Sequence, residues 1–104
     1  MVVTITEPKI KIVQVGESIT LKCNVQSQEQ DVKIVWSKEN GNLPEGRVNS
    51  GNEGILIITN VQAEDSGVYV CKAVSAYYVL SDKAVVNVGK YNSFLIEIHF
   101  IYVV

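Results

Sequence analysis

A single histidine, two cysteines and two prolines stand among 104 residues, and each scarcity closes off a class of function. Metal sites draw on clusters of imidazoles and thiolates, and one His99 with two thiols forms no such cluster. Nucleophilic catalysis requires a base within reach of the nucleophile; His99 is the sole imidazole and has no orienting partner in sight. Glu64 and Asp65 are adjacent carboxylates, with Glu64 read as a solvated group rather than half of an acid–base couple. No glycine-rich phosphate loop lies between a strand and a helix. No asparagine is followed two positions later by Ser or Thr, so N-glycosylation is not expected. The nine Lys and Arg are scattered and the net charge is −2, which argues against general attraction to nucleic acid or anionic membranes. A local basic strip able to hold a heparin-like chain is allowed by the sequence and supported by nothing in it. Residues 1–6 carry no basic start and no long apolar stretch, so they are not a secretory signal.

What is present is a globular composition, 47% hydrophobic and 19% charged, at a length suited to one domain with one modest core. Cys23 and Cys71 allow one intramolecular bond. Closing a loop of that size stabilises by roughly 3–4.7 kcal/mol. Such bonds persist in oxidising compartments, which points to an extracellular domain. The competing reading is an intracellular relative whose two thiols pack as small hydrophobes. An extracellular domain without a signal is expected to be a piece of a longer chain, with Met1 a gene-model start rather than a natural one.

Strands and turns run throughout, and no segment sustains a helical period. Thr4 to Thr6 and Lys9 to Val13 read as a first edge strand broken at Pro8, which cannot donate to a ladder. From Ser18 to Val25, Ile19, Leu21, Cys23 and Val25 alternate with polar residues, a half-buried strand. Val32, Ile34 and Trp36 form the next inward set. Turn chemistry at Asn40-Gly41 and Pro44-Glu45-Gly46 leads to a short edge strand near Arg47 and Val48. Leu56, Ile58 and Val61 point inward, Gln62 to Ser66 makes a helical-turn corner, and Val68 to Ala73 places Tyr69, Cys71 and Ala73 on one face. A turn over Ser75 to Leu80 precedes a last strand, Ser81 to Val88, with Ala84, Val86 and Val88 inward. Short strands at this spacing predict an all-β sandwich.

Cys23, Trp36, Leu56 and the run Asp65-Ser66-Gly67-Val68-Tyr69-Val70-Cys71 resemble an immunoglobulin domain of the intermediate (I-set) type, over residues 4–88. The resemblance implies a two-sheet antiparallel sandwich with a Cys23–Cys71 bridge between the sheets and Trp36 packed on it. It further implies a Tyr69 hydroxyl bonded to upstream backbone, Gly67 where a side chain would crowd that corner, and an ion pair of Arg47 with Asp65 at the base. At a finer level, Trp36-Ser37-Lys38, Asn40-Gly41-Asn42-Leu43-Pro44, Ile55 to Gln62 and Asp65 to Cys71 are similar to the tandem immunoglobulin repeats of the perlecan family of basement-membrane heparan sulfate proteoglycans. Hemicentin-like, receptor and titin-like modules share much of this phrasing. The implied role is a non-enzymatic, cofactor-free module of a secreted matrix or adhesion protein. It would contact other proteins and neighbouring immunoglobulin domains in an array, but neither nucleic acid nor a small-molecule substrate. A cell-surface adhesion receptor and an intracellular titin-like module are the alternatives.

Two segments depart from that pattern. Ser75 to Leu80 holds Tyr77 and Tyr78, a loop pair that either anchors a partner or packs over the end of the sandwich. Residues 1–3 read as a leader, and residues 89–104 as an apolar tail that is too short and too charged, with Glu97 and His99, to span a membrane. Gly89-Lys90-Tyr91 can be encoded by GGT-AAG-TAT, which contains the bases expected at an intron start, and the rest resembles translated A/T-rich DNA. Residues 90–104 are therefore expected to be intron read-through.

Overall fold

The computed structural model describes residues 1–5, 9–28, 31–50 and 54–89. The expected break at Pro8 and the expected read-through of residues 90–104 lie outside them.

Among the described residues eight strands form two sheets: β1 (Val2–Ile5), β2 (Ile10–Gln14), β3 (Ile19–Gln26), β4 (Lys33–Lys38), β5 (Val48–Asn49), β6 (Ile55–Ile58), β7 (Gly67–Val74) and β8 (Val79–Gly89). A 3-10 turn, Ala63–Asp65, makes the corner before β7. One sheet is ordered β1-β3-β6-β5 and the other β2-β8-β7-β4. Every pair is antiparallel except β2 with β8, which is parallel.

That exception reveals what the N-terminal segment does. The expected broken edge strand is two strands in two sheets: Ile5 pairs with Cys23 in one, and Ile10 with Val85 in the other. The switch between sheets falls between Ile5 and Ile10. Asp82 of β8 fastens the crossing, accepting the Ile5 N–H at 2.8 Å and pairing with the Lys9 ammonium. β1 begins at Val2, two residues before the expected domain start at Thr4.

The core follows the period-two pattern. Ile19, Leu21, Leu56, Ile58, Val61, Tyr69, Cys71, Ala84 and Val86 are buried, with Val25, Ile34 and Val88 packed at the margin. Leu21 stands opposite Leu56, and Trp36 opposite Cys71, so paired side chains share the inner face. The last turn is tighter than expected. The Ser75 hydroxyl accepts the N–H groups of Tyr77 and Tyr78, and the Ser75 N–H bonds to the Tyr78 carbonyl at 2.9 Å. The turn therefore closes at Tyr78, and β8 starts at Val79 rather than Ser81.

Candidate functional site

Cys23 on β3 and Cys71 on β7 are joined by a disulfide, their Cα atoms 6.4 Å apart and 48 positions separated in sequence. Both lie on central strands, so the bond crosses the middle of the sandwich. Loop closure of this length stabilises by about 4 kcal/mol. Trp36 is buried beside Cys71, and its indole N–H finds no acceptor among the described residues. Leu56 is fully buried across from Leu21.

The base of the sandwich gathers Arg47, Asp65, Gly67 and Tyr69. Arg47 makes a two-pronged contact with Asp65, Nη1 to Oδ2 at 2.7 Å and Nη2 to Oδ1 at 3.1 Å. Its Nη1 also donates to the Asn60 carbonyl at 2.9 Å, tying the end of β6 to the 3-10 turn. Burial pushes the Asp65 carboxyl up, but bonds from Arg47 and the Gln62 N–H outweigh this and hold it below its usual value. The Arg47 guanidinium is raised by the hydrogen bond to Asp65. The Tyr69 hydroxyl donates to the Asp65 carbonyl at 2.6 Å, and burial pushes its pKa up to about 12. Lys38 lies across this corner: its ammonium is 5.9 Å from the Tyr69 ring centre and donates to the Glu64 carbonyl. A Cβ on Gly67 would fall 2.9 Å from Lys38 Cε, the far end of a flexible side chain, so a side chain at this position meets Lys38 and not Tyr69 itself. This cluster is a fastening, since each polar group is spent on another.

Tyr77 and Tyr78 stand at the opposite end, on the β7–β8 hairpin, with Tyr77 82% exposed and Tyr78, Val79 and Leu80 also exposed. The structure thus separates the residues singled out in the sequence into a buried spine, a base cluster and an apolar hairpin tip. Below the tip, the outer face of the β2-β8-β7-β4 sheet exposes Ile10, Ile12, Val35 and Val79. These residues are not apparent from a strand read alone, since alternation marks them only as outward. Asp82 was also missed, although it stands two residues ahead of the inward series Ala84, Val86 and Val88, on the same side of the strand.

A cleft of about 420 Å³ is lined by Asn24, Ser27, Asp31 and Val32 among others, and Asp31 is its one ionisable described group. Among the described residues it offers no acid–base pair. Among the described residues no group of His, Cys, Asp and Glu could hold a metal, and no helix is long and apolar enough to cross a membrane.

Comparison with known proteins agrees with this geometry. The profile of the immunoglobulin domain family matches residues 2–75. Neuronal cell adhesion molecule of Rattus norvegicus is 32% identical over 85 residues, 81% of this chain and 7% of that protein. Basement membrane-specific heparan sulfate proteoglycan core protein of Mus musculus is 36% identical over 72 residues, 68% of this chain and 2% of that protein. The chain therefore spans only a small part of the relatives it matches. A chain of the titin M10–obscurin-like 1 Ig complex superposes with a TM-score of 0.71 at 27% identity, over 86% of this chain and 96% of that one. The bridged two-sheet sandwich and the profile match lead to one conclusion: the chain belongs to the immunoglobulin domain family.

Proposed function

We propose that this chain is a non-enzymatic immunoglobulin module of a secreted, perlecan-like matrix or adhesion protein, acting in a tandem array as a rigid spacer and a protein-binding surface. The observation that carries the extracellular part is the closed Cys23–Cys71 bond, since such bonds persist in oxidising compartments. Likeness to a neuronal adhesion molecule and to a basement-membrane proteoglycan core protein supports the same setting. The binding part is supported by the hairpin, where two exposed tyrosines are held by a Ser75-anchored turn on a rigid scaffold.

Differential alkylation of the protein from its native tissue, read by mass spectrometry, tests the setting. Cys23 and Cys71 are expected to resist alkylation until reduced. Free thiols in the native protein would overturn the extracellular reading in favour of an intracellular module, which the likeness to the titin complex favours.

A further inference from the structure

We propose that the outer face of the β2-β8-β7-β4 sheet, continuous with the hairpin, docks an acidic protein segment whose carboxylates alternate with apolar side chains. This rests on the protein-binding reading above and names the chemistry of the partner.

Register lays the face out in rows. Lys33, Val74 and Val79 lie side by side across β4, β7 and β8; the next rows are Val35, Lys72 and Ser81, then Ser37, Val70 and Lys83. Val68, Val85 and Ile10 follow, reaching β2. All point away from the core, because their strand neighbours Ile34, Trp36, Tyr69, Cys71, Ala73, Ala84 and Val86 point into it. The lysines therefore fall on a diagonal, one per strand, with valines between them.

No carboxylate points outward from these four strands. Their one acidic residue, Asp82, is opposite Cys71 and turned to Ile5 and Lys9. Lys83 is paired with Glu39, just beyond β4. Lys33 and Lys72 are exposed and have no carboxylate partner among the described residues. The outer face of the other sheet is more polar: Thr4, Thr20, Lys22 and Asn24 project from it, Val2 is its exposed apolar residue, and Ile55 and Ile57 are half-buried.

Charge decides among occupants. A second copy meeting the same face through a twofold axis would set lysines against lysines, which is unfavourable. A sulfated glycan would satisfy the lysines but leave Val35, Val79 and Ile10 without apolar contact. An acidic segment with interspersed apolar residues satisfies both.

The test is selection from a phage library of random twelve-residue peptides on the full, disulfide-bonded chain, followed by titration of the selected peptides. Retained peptides should be enriched in Asp and Glu beside Val, Leu or Phe. Their affinity should fall about tenfold or more in a K33E/K72E variant and severalfold in V35S, both folded by near-ultraviolet circular dichroism. Peptides without acidic enrichment, or indifferent to K33E/K72E, overturn the proposal. If a Y77S/Y78S variant loses those same peptides, the protein-binding reading survives on the hairpin alone. No retained clone at all overturns both. A heparin dodecasaccharide that binds through Lys33 and Lys72 but is unaffected by V35S, with no acidic peptide selected, assigns the face to a glycan instead.

Discussion

Replacing Gly54 by alanine probes the contact that seats β6 on the disulfide. Gly54 has φ +79°, and a Cβ there would fall 2.5 Å from the Cys23 carbonyl oxygen. The two residues are already joined by the Cys23 N–H donating to the Gly54 carbonyl at 2.6 Å. An alanine meets two penalties. The left-handed backbone costs about 1–2 kcal/mol for a residue with a Cβ, and displacing packed backbone adds about 1–3 kcal/mol. The sum, roughly 2–5 kcal/mol, is a large part of the 5–15 kcal/mol that holds a domain of this kind together. Gly46 supplies the control, with φ +78° and nothing within 4 Å of a Cβ. G46A should show the strain alone. Urea denaturation followed by the fluorescence of the single tryptophan, buried Trp36, reads both variants. With a slope of about 1.5 kcal/mol per molar urea, G54A should unfold at about 0.7–2 M lower urea than G46A. Equal midpoints would refute the packing argument and leave only backbone strain.

The base cluster makes two pH predictions. Tyr69→Phe removes the bond to the buried Asp65 carbonyl and should cost about 1–2 kcal/mol by denaturant titration. Because the folded pKa of Tyr69 is raised to about 12, ionisation favours the unfolded state as pH climbs from the ordinary value of 10, so the parent loses stability across that interval and Y69F should not. Asp65 is shifted the other way: its contribution is complete above an unfolded carboxylate pKa of about 3.9 and is lost as pH falls through its depressed folded value. Stability of D65N should therefore fall less steeply in acid than that of the parent, while Asp82, also held low against burial by Lys9 and backbone donors, keeps part of that slope. Asp82→Ala should release the end of β1, seen as faster hydrogen exchange at the Ile5 amide with little change at Leu56.

How much could be read from the sequence depended on what each feature requires. The inward sets Ile19-Leu21-Cys23 and Tyr69-Cys71-Ala73 were legible because alternation is local, needing only a strand and a buried face. The Ser75 turn was placed two residues too long because its closing bonds run from a hydroxyl to two amides, a choice among several that Ser permits. The layer switch between β1 and β2 was invisible, since both halves look like edge strand until their partners, Cys23 and Val85, are known. Gly54 is harder still, because its importance lies in which carbonyl faces its Cα. The lysine diagonal belongs to the same class: Lys33, Lys72 and Lys83 are far apart in the chain and become neighbours only through strand register.

That register also separates stability from recognition. The fastening groups sit at the base of β7, around Tyr69, and at the β1–β2 crossing, around Asp82. Five residues of strand, roughly 17 Å, separate Tyr69 from Val74 and the hairpin beyond it. Lys33 and Lys72 touch none of those groups, and solvated side chains of this kind change stability by no more than about 0.5 kcal/mol when replaced. K33E/K72E should therefore alter binding by more than a factor of ten while leaving the urea midpoint nearly unmoved. If the same substitutions lowered the midpoint by as much as G54A, the lysines would be part of the scaffold, and the face would lose its claim as a docking surface.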